Sequence, residues 1–300
     1  MSPTTLFTLN LILAMMMFGI ALGLTMDDFK RVIQSPKGPV VGLLAQFLLL
    51  PAATCLLTYL FAMWITVPSE VALGLLLVAC CPGGSFSNVM TYLSNGNTAM
   101  SVSMTGVASL LAIVLTPLNF VFYASLNPVT SDLLQSISVS STDMLSIIVF
   151  VLAIPLAAGL FCASHFPHFA KKSESFFRVI SVLTLFGFVA IALYMNWQRF
   201  IAAADIFVLA VIAHNGLALS LGWFAAGALN LNTADKRAIT LEVGLQNSGL
   251  GLGIIFTFFA DFTAMAIIAA AWGIWHLISG LSLSLLWQWR DKYSTVSELS

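Results

Sequence analysis

Glu242 lies deep inside an apolar stretch, within the run Glu242-Val243-Gly244-Leu245-Gln246-Asn247-Ser248-Gly249. A second run of similar character, Cys80-Cys81-Pro82-Gly83-Gly84-Ser85-Phe86-Ser87-Asn88, interrupts another apolar stretch. Proline removes an amide donor and glycine weakens a helix, so both runs predict unwound backbone with free carbonyls. Around those carbonyls stand the side-chain oxygens of Ser85, Ser87, Asn88, Glu242, Gln246, Asn247 and Ser248. Ser101 and Thr105 lie four residues apart and share one helix face, and Gln46 precedes Pro51 by a turn and a half. Hard cations take oxygen ligands, and a divalent ion would collect more carboxylates than one. A single carboxylate among neutral oxygens suits a monovalent cation such as sodium. The same breaks create half-helix N-termini near Ser85–Ser87 and near Asn247–Ser248, whose open amides and partial positive charge suit an anionic group.

The elements that must position these groups follow from composition. Sixty percent of the 300 residues are hydrophobic and only 8% are charged, with a mean hydropathy of +1.01. A soluble domain carries roughly a quarter of its residues as Asp, Glu, Lys and Arg. So few charges cannot cover a water-facing surface, which excludes a large soluble domain and makes lipid the main solvent. The four cysteines, Cys55, Cys80, Cys81 and Cys162, sit in apolar segments and read as small hydrophobes rather than as a disulfide or zinc framework. Met15-Met16-Met17 reads as gap-filling apolar packing. The N-terminal apolar run lacks a positive leader and a small-residue cleavage site, so it reads as a span rather than a signal peptide.

A hydrocarbon core of about 30 Å needs about 20 apolar residues per helix. Charge-poor runs predict nine spans: Leu6–Leu24, Val40–Trp64, Val71–Leu93, Ala99–Tyr123, Met144–Ala163, Val179–Asn196, Ile206–Leu229, Ala238–Phe259 and Thr263–Trp289. No run alternates as a barrel strand would, so the fold class expected is an all-α polytopic membrane protein, one transporter domain over 1–300. Ten of the eleven Lys and Arg then fall on one side: Lys30, Arg31, Lys37, Lys171, Lys172, Arg178, Lys236, Arg237, Arg290 and Lys292; Arg199 alone falls on the other. Positive residues stay cytoplasmic. The expectation is a multi-pass protein of the cell (inner) membrane, N-terminus outside and C-terminus cytoplasmic. Trp64, Trp197, Trp287 and Trp289 sit at span ends, where an amphipathic ring prefers the interface.

The two interrupted spans are the third and the eighth. An offset of five runs them in opposite directions through the membrane. Interrupted helices at matching positions of two inverted halves mark the binding site of a secondary transporter. The pairing sets a first repeat over 1–125 (spans 1–4) against a second over 140–300 (spans 5–9), with span 5 lacking a mate. Glu242 is the only acidic residue well inside a span. At the bilayer centre a charge costs at least about 2.5–3.5 kcal/mol, and no intramembrane Lys or Arg is expected to offset it. Its partner must be a proton, a metal cation or a set of hydrogen-bond donors.

The run Cys81 to Leu93 and the run Glu242 to Leu250 together resemble the bile acid:sodium symporter family. His214-Asn215-Gly216, Trp275-His276, Ser279-Gly280, Met17-Phe18-Gly19 and Asp28-Phe29 extend the likeness along almost the whole chain. The missing first helix matches nine-span members of that family. The resemblance implies a panel of spans 1, 5 and 6, and a core in which helices 3 and 8 cross. It implies two co-transported sodium ions. A first would be held by Ser87, Asn88, Ser101, Thr105 and Glu242. A second would be held by Gln46, Glu242, Gln246 and the carbonyls of Val243 and Leu245. A small organic anion, bile acid-like or smaller, would bind between panel and core near Ser85, Asn247, Ser248 and His276. Leu277 stands where bacterial relatives often carry Asn. Sodium, the anion and the bilayer are the expected partners, with no nucleic acid and no obligate protein partner.

Two alternatives remain at the level of sequence. A proton-coupled carrier would use Glu242 as a titrating group instead of a cation ligand. An intramembrane enzyme would pair Ser85 or Ser248 with His214 or His276. Neither serine sits in a G-x-S-x-G elbow, no H-E-x-x-H is present, and an enzyme leaves Glu242 without a task. His214 and His276 also have an ordinary reading as packed, hydrogen-bonded core residues.

Overall fold

The fold is described from a computed structural model over residues 3–136, 149–202 and 204–297. It is 86% helical, an all-α polytopic membrane protein. Helix α1 (Pro3–Leu22) turns through 65° into the short α2 (Met26–Gln34). Asp28 fixes that corner by accepting from the Thr25 amide at 2.8 Å and the Thr25 hydroxyl at 2.7 Å. Lys30 and Arg31 therefore lie on a helix and not in a loop. Next come α3 (Lys37–Leu44), a π turn (Ala45–Leu49) and α4 (Leu50–Ala62), which run on as one span. Pro51 explains the π turn. It offers no amide to the Phe47 carbonyl, and the ladder widens to accommodate the gap. Asn119 Nδ2 fills it at 2.6 Å.

The third expected span arrives as two pieces, α5 (Ser69–Cys80) and α6 (Phe86–Leu93). Helix α7 (Thr98–Leu126), capped by Asn97 through the Met100 amide at 3.1 Å, and the short α8 (Ser131–Ser136) follow. After the undescribed stretch 137–148, which includes the start of the span expected from Met144, a π turn (Val149–Ala153) leads into α9 (Ile154–His165). Then come α10 (Pro167–Met195), α11 (Trp197–Ala202) and α12 (Ala204–Ala228). Lys171, Lys172 and Arg178 are thus carried on α10, with Phe166 the only residue between α9 and α10. The eighth span is also split, into α13 (Thr233–Gly244) and α14 (Ser248–Phe258), and α15 (Thr263–Ser297) closes the chain.

Four continuous helices among the described residues are long and apolar enough to cross a membrane, or five if the bent α1–α2 pair is one span. Of the nine expected spans, the third, fifth, sixth and eighth fall outside that count. The third and eighth are each broken into shorter helices, the fifth is described only as the short α9 after its π turn, and α10 is not among the helices that qualify. Helices α1, α9 and α10 pack on one another, matching the expected panel. The core gathers α5, α14 and α15 around Trp272, Leu76 and Phe259, with a second apolar cluster joining α3, α7, α12 and α13. Helices α12 and α13 approach closely at Gly222, where any Cβ would meet the Thr240 backbone at 2.8 Å. Large apolar side chains such as Leu118, Phe122, Leu183 and Phe224 remain exposed, as a lipid-facing surface requires.

Candidate functional site

The two unwound segments cross and pair. Gly83 and Gln246 form an isolated antiparallel bridge. The Gly84 amide donates to the Leu245 carbonyl at 2.8 Å, and the Asn247 amide to the Pro82 carbonyl at 2.9 Å. Backbone groups that proline and glycine deprive of helical partners are thus satisfied by the opposite strand. Unwound backbone is tolerable at membrane depth on this condition.

Glu242 sits on the last turn of α13 and is 1% exposed. Its carboxylate accepts from the Ser87 hydroxyl at 2.5 Å and lies 2.9 and 3.0 Å from the Thr105 hydroxyl. Asn88 Oδ1 lies 2.7 Å from Ser101 Oγ and 3.1 Å from Thr105 Oγ1. Ser87, Asn88, Ser101, Thr105 and Glu242 are therefore one constellation, drawn from α6, α7 and α13. Thr105 Oγ1 is within hydrogen-bond distance of Asn88, Glu242 and the Ser101 carbonyl together, yet a hydroxyl has one proton to give. Oxygens outnumber the protons that could separate them. A cation, or a proton on Glu242, would relieve that excess.

Gln46 reaches the crossing from the π turn. Its Nε2 donates to the Cys81 carbonyl at 2.8 Å and to Gln246 Oε1 at 2.7 Å, while Gln246 Nε2 donates to the Val243 carbonyl at 2.7 Å. Gln46 Oε1 is buried without a hydrogen-bond partner. A buried amide oxygen left unpaired costs about 1–3 kcal/mol, which a bound cation would remove. Gln46, Gln246 and the Val243 and Leu245 backbone are thus brought together. Among these oxygens only Gln46 Oε1 lacks a partner, since Gln246 Oε1 and the Val243 and Leu245 carbonyls each accept a hydrogen bond. Glu242, expected in the same set, makes its hydrogen bonds to Ser87 and Thr105. Oxygens of this kind suit a hard monovalent ion. Among the described residues no group of three His, Cys, Asp or Glu gathers.

Ser85, Asn247, Ser248 and His276 line a small cavity of about 40 Å³ between α1 and the crossing, beside Met16 and Ile20. Asn247 Oδ1 caps α14 by accepting from the Leu250 amide at 3.0 Å, so one of the amides expected to be open there is occupied. Ser85, at the start of α6, makes no side-chain cap. His276 Nδ1 lies 2.9 Å from the Trp272 carbonyl and 3.3 Å from Ser248 Oγ. A carbonyl only accepts, which assigns the proton to Nδ1 and leaves Nε2 an acceptor. A larger cavity of about 430 Å³ separates α1 from α6 and α7. It touches Ser85, Asn88 and Thr105 and extends to Tyr92 and Thr98, on either side of the α6–α7 turn.

His214 is part of a separate buried network. Trp272 Nε1 donates to His214 Nδ1 at 2.9 Å, and His214 Nε2 lies 2.8 Å from Thr54 Oγ1. Two further groups at the breaks are not among the expected site residues, although Asn215 lies in the His214-Asn215-Gly216 motif of the resemblance. Asn215 Nδ2 donates to the Gly244 carbonyl at 2.8 Å, and Thr116 Oγ1 to the Cys80 carbonyl at 2.7 Å. Each is a polar residue inside an apolar helix, a cue readable before the fold is known.

The profile of the Sodium Bile acid symporter family matches residues 10–203. The chain is 32% identical over 284 residues to an uncharacterized sodium-dependent transporter, YocS, of Bacillus subtilis, covering 95% of this chain and 84% of that protein. It is 30% identical over 276 residues to the probable sodium/metabolite cotransporter BASS1, chloroplastic, of Arabidopsis thaliana, covering 92% of this chain and 65% of the plant protein. The mouse P3 protein is 29% identical over 230 residues, 77% of this chain and 47% of that protein. These likenesses point to a transporter and not an enzyme, and the chain belongs to the sodium bile acid symporter family.

Proposed function

We propose that the protein couples the entry of sodium to that of an organic anion, bile acid-like or smaller, by alternating access. The reading rests on one observation above all: a buried carboxylate at the crossing of two broken helices, set among oxygens that outnumber their protons. Two ions are co-transported. One is held by Ser87, Asn88, Ser101, Thr105 and Glu242. The other is held by Gln46, Glu242, Gln246 and the carbonyls of Val243 and Leu245. The anion binds between the panel and the core, near Ser85, Asn247, Ser248 and His276, close to the start of α6. The halves 1–125 and 140–300 act as inverted repeats, the N-terminus is outside and the C-terminus is cytoplasmic in the cell membrane. Family membership and the description of the Bacillus relative as a sodium-dependent transporter support the coupling ion.

Filling the ion positions bridges α6, α7 and α13 and fixes the shape of the crossing that the anion meets. Linkage makes the effect reciprocal, so the anion tightens sodium by the factor with which sodium tightens the anion. The deciding experiment is melting of the detergent-purified protein in sodium, lithium, potassium and choline chlorides. Sodium should raise the melting temperature through mass action, and Glu242→Ala should lose the rise and all uptake while still inserting. Equal melting in the four salts, with a strong response to pH instead, replaces sodium by a proton at Glu242. Sodium-dependent uptake retained in Glu242→Ala rules out the site.

A further inference from the structure

Both broken helices end on carbonyls that have lost their helical amides, at Cys80-Cys81 for α5 and at Gly244 for α13. Such groups need partners from elsewhere. Exchanging Gly83 with Gln246 interchanges the two crossing bonds, Gly84 to Leu245 and Asn247 to Pro82. The same exchange carries Cys81, two residues before Gly83, onto Gly244, two residues before Gln246. One side-chain amide meets each of these matched carbonyls. Gln46 Nε2 donates to Cys81 at 2.8 Å and Asn215 Nδ2 donates to Gly244 at 2.8 Å. Both amides are fully buried.

The matched amides differ at their other end. Gln46 Oε1 has no partner, whereas Asn215 Oδ1 accepts from the Ser279 hydroxyl at 2.6 Å. One clamp is left open on its oxygen side and the other is closed by a hydroxyl from α15. Gly244 stands between Val243 and Leu245, so whatever holds its carbonyl also sets the direction of the two neighbouring peptide groups. We infer that Asn215, locked by Ser279, is a positioning residue for the cation site: it fixes the end of α13 that presents Val243, Leu245 and Gln246, without itself being a ligand. This rests on the sodium reading proposed above.

A carbonyl released from Asn215 would let the Val243–Gln246 segment sample other orientations, and the ordering cost would then fall on ion binding. The expected effect is the equilibrium worth of about one hydrogen bond, a roughly ten-fold weaker sodium response. Melting of the full-length detergent-purified protein is followed while sodium replaces choline at constant ionic strength, with sodium alone as the probe. Asn215→Ala should raise the sodium concentration at half-maximal stabilisation about ten-fold. Ser279→Ala should raise it several-fold, and Ser279→Thr, which keeps the hydroxyl, should restore the original midpoint. A purely structural role predicts lower melting in choline with an unmoved sodium midpoint, and that result overturns the proposal. Should Asn215→Ala not fold, the Ser279 pair decides, because equal midpoints for Ala and Thr also overturn it. A parent protein with no sodium-specific stabilisation defeats the sodium reading instead, and that outcome is visible before any variant is compared.

Discussion

The Glu242 carboxylate occupies the space that a side chain on Gly83 would need. A Cβ built on Gly83 falls onto Glu242 Oε1, so the first break must carry glycine for the carboxylate of the second to reach the crossing. Gly83 has an ordinary negative φ, and its requirement is therefore one of space and not of backbone conformation. Gly83→Ala should displace Glu242 from Ser87 and Thr105, at the cost of about 1–3 kcal/mol typical of overpacking. Uptake should fall to background and the sodium-specific rise in melting temperature should vanish. Normal sodium stabilisation in Gly83→Ala would show that the carboxylate has another place to go.

Thr105 stands at the centre of the oxygen cluster, shared between Asn88 and both carboxylate oxygens of Glu242. Thr105→Val keeps the shape and removes the hydroxyl. Expression and melting in choline should change little, since the one donor is lost along with its crowding. The sodium midpoint should rise about ten-fold, the worth of one good hydrogen-bonding oxygen. A sodium titration by melting or by initial uptake rate checks it, and an unchanged midpoint would remove Thr105 from the ligand set.

The His214 network provides a contrasting case, buried and polar but apart from the crossing. Indole N–H can only donate, so Trp272 sets His214 Nδ1 as acceptor and Nε2–H as donor to Thr54, whose own hydroxyl donates to the Leu50 carbonyl at 2.7 Å. Every proton in this chain has a destination, which distinguishes it from the oxygen excess around Glu242. Trp272→Phe leaves His214 Nδ1 buried without a donor, a loss of about 1–3 kcal/mol. Melting should drop equally in sodium and choline, with the sodium midpoint unmoved. A shifted midpoint would tie His214 to the ion site.

The class of protein and the two breaks were legible because both depend on local composition. Proline and glycine within apolar runs mark where helices end, and α5 and α13 stop at Cys80 and Gly244 as those residues predict. Glu242 was legible for a similar reason, as a charge with no intramembrane counterpart. Ser101 and Thr105 needed only helical spacing to be placed on one face. What stayed hidden depends on distant pairing. Nothing near Asn215 announces that its amide meets Gly244, 29 residues away. Arg237 was expected in a connecting loop by virtue of its charge. In the fold it lies on α13 and is buried, because Asp291 at the far end of α15 meets it.

That pairing supports the last prediction. Arg237 donates through Nη1 and Nη2 to the two oxygens of Asp291 at 2.6 Å each, and Nη1 also meets the Ser94 carbonyl at 2.6 Å. The guanidinium lies 5.5 Å from the centre of the Trp287 ring, and Asn95 adds a bond to Asp291 at 3.0 Å. The fork thus ties the α6–α7 turn, the start of α13 and the end of α15 into one body at the basic end of the molecule. The Arg237 side chain is 8% exposed but that of Asp291 is 37% exposed, so screening reduces what the pair contributes. Asp291→Asn keeps the shape while leaving a buried guanidinium without its counter-charge, and should cost about 1.5–3 kcal/mol, toward the lower end. Melting should fall in sodium and choline alike. The substrate KM and the sodium midpoint should remain, because the site lies further along α13 at Glu242. A selective loss of sodium affinity in Asp291→Asn would mean that the fork governs the ion site instead of merely holding its scaffold together.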